Sequence, residues 1–144
     1  MLNETVIIPL SKGKSANWLG ELNFKHTYTY TPDAGKATAI LGNTIDAYNQ
    51  VWHLPTASNP LTGKELIDFI AGEFGVKPKV QKLSRFMVSI LGIFIPIMKE
   101  LVEMMYQYDR DYVFDSTKFE KRFNFTPTSY SDGIREVIKH DYGK

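Results

Sequence analysis

The longest hydrophobic stretch of the chain lies between Phe86 and Met98, where only Ser89 is polar and only Gly92 lacks a side chain. A membrane-spanning helix needs about 20 apolar residues, and this stretch is shorter. Pro96 also divides it, because its ring removes a backbone donor and disfavours helical geometry at the preceding residue. The pattern therefore predicts no transmembrane segment. It predicts two helices that meet at a corner, over 84–94 and from Pro96 onwards.

These two helices differ in how their apolar residues are distributed. In the second, Ile97, Leu101 and Tyr108 recur at helical spacing, while Glu100 and Glu103 take the other side, which indicates an amphipathic helix. The first is apolar almost all round, as is typical of a helix covered on both sides. Monomers rarely expose a large apolar patch. The sequence therefore predicts that a second copy of the chain or another partner buries the 86–105 region.

The remaining elements are short, and turn or capping residues separate them. The strongest helix signal is at Thr62 and Glu65, which have the spacing of a capping box, with Gly75 at the left-handed position after the helix. Alternating apolar and β-branched residues predict strands. The predicted elements are helices over 2–12, 31–41, 62–74, from Thr117 with Glu120, and from Ser129 with Asp132, and strands over 25–31, 50–55 and 79–83.

This pattern predicts one domain of the α/β class over residues 1–144, rich in helices and with few short strands. A hydrophobic content of 43% with 23% charged residues is typical of a globular protein. The net charge of +1 leaves no excess of positive charge that would indicate binding of nucleic acid. The lack of cysteine excludes disulfides and thiolate catalysis. Glu4 stands where a signal peptide would be basic, so we expect a cytoplasmic protein.

Candidate chemistry within the chain is sparse. His26, His53 and His140 lie far apart and lack the spacing of a zinc site, and His53 fits a structural histidine in a strand. The acidic residues between Glu100 and Asp111 fit a solvated helix face. The ten glycines form no phosphate-binding or dinucleotide-binding loop. The sequence therefore assigns no catalytic, cofactor-binding or metal-binding residue.

Five segments in order resemble a known family. They are Trp18-Leu19-Gly20, "HTYTYTPDAGKA" at 26–37, "VWHLP" at 51–55, "LTGKELIDFIAGEFGVKPKV" at 61–80 and "DSTKFEKRFNFTPTSYSDGIREVI" at 115–138. Together they resemble the C-terminal part of extended or atypical short-chain dehydrogenase/reductases, the NAD-dependent epimerase/dehydratase-like proteins. Tyr28, Tyr30, Asp33 and Ala34 stand at the positions of that family's strand-to-helix signature. Asp115, Ser116, Lys118, Phe125 and Pro127 match its later motif.

This resemblance implies an incomplete enzyme. Family members begin with a dinucleotide-binding Rossmann half, whose glycine-rich turn holds the cofactor pyrophosphate, and the chain contains no such turn. Their catalytic tyrosine and lysine lie four apart, but no tyrosine here has a lysine four residues on. The resemblance thus implies the substrate-binding portion of a nucleoside-diphosphate-sugar epimerase-like oxidoreductase. A full-length parent would use NAD or NADP, and the chain alone would bind no cofactor and lack activity.

The chain differs from the family at two places, and these differences limit the class of substrate that we expect. His26 replaces an arginine that contacts the nucleotide diphosphate in many members, and an apolar helix starting at Arg85 replaces the loop that carries a second arginine. Without these guanidinium groups an apolar or lightly polar substrate fits better than a diphosphate. The predicted substrate-pocket residues are Asn3, Trp18, His26, Tyr28, Arg85, Met87 and Met98. The alternative is a small non-enzymatic binding or oligomerisation module for an apolar ligand or protein partner.

Overall fold

The computed structural model describes residues 2–94 and 96–143, with side chains described outside positions 85, 91, 94 and 96–99. The chain is a helix-rich α/β protein with one two-stranded sheet, as predicted for the fold class. In chain order the elements are a π-helical turn (Asn3–Ile7), α1 (Ile8–Ser11), β1 (Ala16–Leu19), α2 (Thr31–Gly42), a 3-10 turn (Ile45–Ala47), α3 (Gly63–Phe74), β2 (Val80–Leu83), α4 (Arg85–Phe94), α5 (Pro96–Met104), a 3-10 turn (Met105–Tyr108), α6 (Thr117–Phe123) and α7 (Tyr130–Tyr142).

The sheet consists of β1 and β2 in parallel, with Ala16 opposite Val80 and Leu19 opposite Leu83. Parallel neighbours need a long connection, which here includes α2 and α3. The prediction of a strand over 79–83 is confirmed, whereas β1 was not predicted. Ala16 and Trp18 point into the core from alternate positions of β1.

The predicted strand over 25–31 is wrong beyond its first two residues. Lys25 and His26 form isolated bridges to Thr62 and Tyr112, and the residues that follow join no described ladder. No strand runs alongside them in the described chain. The Tyr28 amide instead donates to the hydroxyl of Tyr130, at 3.3 Å.

The predicted strand over 50–55 is also wrong within the described chain. Its residues pair with no strand there, although their composition favours one. Side chains hold the segment in place: Lys118 Nζ donates to the Val51 carbonyl at 2.9 Å, and the Trp52 indole donates to the Ala47 carbonyl at 2.9 Å. Side-chain hydrogen bonds therefore hold the segment in place, but it pairs with no strand of the described chain.

The hydrophobic core lies between the N-terminal helical region, β1, α3 and α7. Ile67 and Leu10 are fully buried at its centre, and Phe74 meets the Tyr142 ring edge to face at 5.5 Å between ring centres. Helix α3 supplies five of the eleven buried residues of this core, because its apolar residues recur at helical spacing. The buried members are Val6, Ile7, Leu10, Ala16, Trp18, Leu66, Ile67, Ile70, Ala71, Phe74 and Ile138.

The signals at both ends of α3 are confirmed. The Glu65 amide donates to Thr62 Oγ1 at 3.2 Å, and the Thr62 amide donates to Glu65 Oε2 at 2.8 Å, which completes the capping box. At the other end Gly75 has a φ of 68°, and the Val76 amide donates to the Ala71 carbonyl at 3.0 Å. This is the hydrogen bond of a Schellman motif.

The other predicted helix starts are confirmed only in part. Ser129 caps α7, because its hydroxyl accepts a hydrogen bond from the Asp132 amide at 3.1 Å. The predicted capping box at Thr117 is wrong: Thr117 is already helical, and the Ser116 hydroxyl donates to Glu120 Oε1 at 2.6 Å. Helix α2 begins at Thr31, as predicted, and Tyr30 takes the cap position.

Helices α4 and α5 form the predicted hairpin and pack on each other. Within the single chain α4 is covered on one side only, and its burial by a second copy or another partner stays a prediction. Val88 is fully buried, but Phe86 is 74% exposed and Ile93 is 77% exposed. Among the residues that the structure describes, no helix has the length and apolar character needed to cross a membrane.

Candidate functional site

An open groove of about 490 Å³ lies between the N-terminal helical turn, the segment 28–31 and the first half of α7. It forms because the segment 28–31 joins no ladder and crosses the face of α7 instead. Apolar side chains alternate with hydroxyl groups along its walls. The lining residues are Leu2, Asn3, Ile7, Tyr28, Thr29, Tyr30, Thr31, Thr128, Ser129, Tyr130, Gly133, Ile134, Val137 and Asp141.

Contacts between Tyr30 and α7 fix one wall of the groove. The Tyr30 ring lies against Gly133, where an added Cβ would come within 3.2 Å of Tyr30 Cδ2. The Tyr30 hydroxyl donates to Glu136 Oε2 at 2.6 Å, and this hydrogen bond is the main reason that the pKa of Tyr30 rises to about 12. Gly133 is therefore the position that lets α7 approach the segment 28–31 closely.

A hydrogen bond joins the start of α2 to the loop before α7. The buried carboxylate of Asp33 accepts a hydrogen bond from the Thr128 amide at 2.7 Å. The Tyr130 hydroxyl completes the attachment by accepting from the Tyr28 amide. These two bonds join segments that lie about a hundred residues apart in the sequence and hold the groove at a defined width.

Tyr28 carries the most unusual polar atom of the groove. Its hydroxyl is buried and has no hydrogen-bond partner among the described residues. Burial raises the pKa of Tyr28, and the nearby Tyr108 and Tyr130 hydroxyls raise it further. The hydroxyl therefore stays protonated at neutral pH and can donate a hydrogen bond. A buried polar group without a partner costs about 1–3 kcal/mol, so a hydrogen-bond acceptor from a ligand would stabilise it.

Behind Tyr28 lies a cluster of aromatic rings centred on His26. The His26 ring stacks on Tyr108 with 5.1 Å between ring centres, and on Tyr28 with 6.3 Å. The edge of Trp18 approaches it at 6.4 Å. Burial lowers the pKa of His26, and the Asp111 carboxylate opposes this shift. The imidazole is thus neutral at physiological pH, and its Nε2 has no hydrogen-bond partner among the described residues.

The structure brings four of the seven predicted site residues together. Asn3 and Tyr28 line the groove, and Asn3 Oδ1 accepts a hydrogen bond from the Tyr142 hydroxyl at 2.6 Å. Trp18 and His26 lie in the aromatic cluster behind it, not on its surface. Met87 projects from α4, half-exposed and away from the lining residues. The side chains of Arg85 and Met98 lie outside the described residues.

Sequence reasoning missed the wall that α7 contributes. Tyr130, Gly133, Ile134 and Val137 all line the groove. The helical spacing of Ile134 and Val137 in the helix predicted from Ser129 was the one signal available for this wall. Both are only partly buried and pack against the edge of the core.

The charge of the groove favours a neutral ligand. Asp141 is the one residue with a full charge at neutral pH among the described lining residues, and no lysine or arginine occurs in that set. Binding of a diphosphate depends on cationic groups, and arginine in particular. In the described part of the chain, no cluster of three histidine or carboxylate side chains could hold a metal ion.

We compared the chain with protein-family models, with curated proteins and with solved structures, and none of them matches it. The resemblance to the epimerase/dehydratase-like proteins therefore stays a prediction from the sequence. Three features of the chain bear on its function: the groove, the unpaired segment 50–55 and the exposed hairpin.

Proposed function

We propose that the chain is the substrate-binding portion of an NAD- or NADP-dependent epimerase, dehydratase or oxidoreductase, and that a dinucleotide-binding half completes it. On this proposal the groove takes the substrate, and the chain alone neither binds the cofactor nor catalyses a reaction. The resemblance of five ordered segments supports the proposal. The observation that carries it is the segment 50–55, which has the composition of a strand and no pairing partner within the described chain.

The surface around this segment has the character of an interface. Val51 is 81% exposed, and Tyr48 and Phe114 are also exposed. The His53 ring meets the Phe114 ring edge to face at 5.3 Å. Beneath it, Trp52 packs against Phe119, so the segment is held in position before any partner arrives. An exposed, preformed stretch of this kind can be extended by a strand from another sheet.

The groove supports a substrate that is mainly apolar and uncharged. Its apolar wall, which includes Leu2, Ile7 and Ile134, would cover the body of such a molecule. The hydroxyl groups of Thr29 and Thr31 along the groove would donate to a carbonyl or hydroxyl oxygen of the substrate. Polar groups placed on an apolar wall fix the orientation of a ligand more than they add affinity.

The decisive experiment compares the chain with a longer polypeptide. We expect the DNA upstream of the first codon to encode, in frame, a glycine-rich βαβ unit and a tyrosine-lysine pair four residues apart. Titration with NADH and NADPH, followed by cofactor fluorescence, should show binding by the longer polypeptide and none by the 144 residues. Cofactor binding by the short chain, or upstream DNA without these motifs, would contradict the proposal.

Hydrogen exchange tests the interface directly. Amides of residues 50–54 should exchange rapidly in the isolated chain and become protected in the longer polypeptide, because a strand then pairs with them. Amides in the middle of α3 serve as the control and should be protected in both. Equal exchange of 50–54 in the two proteins would place the dinucleotide-binding half elsewhere.

A second copy of the chain is the other partner that the sequence predicts, through residues 86–105. The exposure of Phe86, Ile90 and Ile93 agrees with a covered face in an assembly. Sedimentation equilibrium of the isolated chain tests this arrangement, and a monomer at all concentrations would rule it out.

A further inference from the structure

We infer that the exposed apolar face of α4 docks on a membrane surface rich in anionic phospholipid, with the hairpin lying in the interface. This inference concerns a different surface from the groove and from the segment 50–55, and it does not depend on the proposed enzymatic role. It rests on the direction of the apolar side chains of α4 and on the charge of the sequence around them.

The exposed face of α4 is a continuous apolar stripe. Phe86, Ile90 and Ile93 lie four and three residues apart, so they share one side of the helix. They are 74%, 44% and 77% exposed, and Met87 borders them at 41%. Val88, on the opposite side, is fully buried. One side of α4 is therefore covered, while the other side presents apolar groups to solvent.

The sequence that leads into α4 is basic, whereas α5 carries the exposed acidic residues Glu100 and Glu103. Between Glu73 and Glu100 the sequence contains no acidic residue, and it contains five basic ones: Lys77, Lys79, Lys82, Arg85 and Lys99. The segment thus carries +5 in a chain whose net charge is +1, which leaves −4 for the rest. Apolar groups on one side of a helix with lysine and arginine nearby are the features of helices that bind at the surface of anionic membranes.

The lysines before α4 remain available to lipid headgroups. Lys77 and Lys79 are exposed. Lys82 pairs with Glu21 at 2.9 Å, but both side chains are at least half exposed, and surface pairs of this kind contribute little. Strand β2 ends at Leu83, two residues before α4 begins, so these basic residues lead directly into the apolar helix.

The dimensions of the hairpin favour an interfacial position. Helix α4 has ten residues and α5 has nine, so each is about 15 Å long at the helical rise of about 1.5 Å per residue. That length is about half of the bilayer hydrocarbon core. The hairpin can therefore insert its apolar stripe below the headgroups without crossing the membrane.

Charge also distinguishes the membrane from a second copy. A two-fold dimer through α4 would place the same surface patch on both sides of the interface. The basic residues that flank α4 would then face each other, and like charges across an interface oppose association. An anionic lipid surface complements both the apolar stripe and the basic flank.

Vesicle flotation tests the inference with the full chain. We expect binding to vesicles of phosphatidylcholine with phosphatidylglycerol, weak binding to phosphatidylcholine alone, and loss of binding as salt increases. The double variant Ile90→Glu/Ile93→Glu should reduce the partition coefficient at least about tenfold, because carboxylates replace the apolar stripe. The control Ile45→Glu changes an isoleucine that is 84% exposed outside the hairpin, and it should bind as the parent does.

A second pair of variants tests the electrostatic part. Lys77→Glu/Lys79→Glu should remove most of the preference for phosphatidylglycerol, whereas Lys121→Glu/Lys139→Glu, at exposed positions on α6 and α7, should keep it. All variants lie on the surface, and circular dichroism checks that they fold. Binding that is equal for the two lipids would overturn the inference. So would the absence of vesicle binding, whether the chain is then a monomer or a dimer that Ile90→Glu/Ile93→Glu dissociates.

Discussion

Helices α3 and α4 have similar lengths, but their apolar residues are covered in different ways. Helix α3 has a capping box, a left-handed glycine at its end and an apolar stripe that the core covers completely. Helix α4 buries Val88 and leaves Phe86 and Ile93 in solvent. The comparison shows that apolar residues at helical spacing specify the helix, while the surface that covers them is decided by the rest of the protein or by a partner.

The largest expected difference between these helices is in how much one isoleucine of each contributes to the free energy of unfolding. Ile67→Ala on α3 should lower the free energy of unfolding by about 2–5 kcal/mol, because it leaves a cavity where the side chain is fully buried. Ile90→Ala on α4 should change it by less than about 0.5 kcal/mol. Urea denaturation of both variants measures the difference. A similar loss in the two would mean that α4 is covered in solution.

A glycine pair within α3 tests how tightly its first turn packs. An added Cβ at Gly63 would lie 2.6 Å from Trp18 Cε2, and the rigid indole of β1 cannot easily move away. Gly63→Ala should therefore destabilise the protein by about 1–3 kcal/mol. Gly72→Ala, where the added atom meets nothing within 4 Å, should stabilise it by about 0.5–1 kcal/mol. Thermal denaturation that gives the same sign for both would contradict this packing.

The cap of α3 should have a smaller effect. Thr62→Ala removes the acceptor for the Glu65 amide, and we expect a loss of about 1 kcal/mol in unfolding free energy. Ser58→Ala is the matched control, because Ser58 is exposed in a loop and makes no hydrogen bond among the described contacts. A change of the same size at Ser58 would show that the effect does not come from capping.

The smallest expected effect is a dependence of stability on pH that comes from His26, which lies near the start of α3. The His26 amide donates to the Leu61 carbonyl at 3.3 Å, so the buried imidazole lies beside this helix start. Burial lowers the pKa of folded His26 below the ordinary value of 6.5, with Asp111 opposing. The unfolded chain therefore binds a proton first, and stability should fall as the pH decreases below 6.5 towards the folded pKa.

His26→Phe should reduce this slope, since the phenyl ring cannot titrate. Urea denaturation between pH 5 and pH 8 measures the slope in both proteins, and carboxylates contribute mainly at lower pH. His140→Phe is the control, because His140 is exposed on α7. An unchanged slope in His26→Phe would show that another group is responsible.

The sequence predicted the elements that local signals define. Thr62 with Glu65, Ser129 with Asp132, and Pro96 each carry information about a helix boundary within a few residues. The prediction of a strand over 25–31 was wrong because residues with high β propensity form a strand only where a partner strand lies beside them. In the described chain, Lys25 and His26 each form one isolated bridge. Strand β1 was missed because Ala16 and Asn17 are residue types that are depleted in strands.

Of the described lining residues of the groove, the sequence predicted Asn3 and Tyr28. Tyr28 stood out through the resemblance of its segment, and Asn3 was included with it. Tyr130 was missed because its role depends on a hydrogen bond to an amide 102 positions away, which only tertiary packing can bring close. Gly133 was missed for the same reason, since the Tyr30 ring that excludes a side chain there comes from the other wall.

The pairing of β1 with β2 has a consequence for biosynthesis. Ala16 pairs with Val80, sixty-four positions later, so the ribosome must complete most of the intervening polypeptide before β1 meets its partner. Until then Trp18 has only part of its final surroundings. We expect nascent chains that end before residue 80 to remain open to proteases around β1, and closing this long loop to be a slow step of maturation.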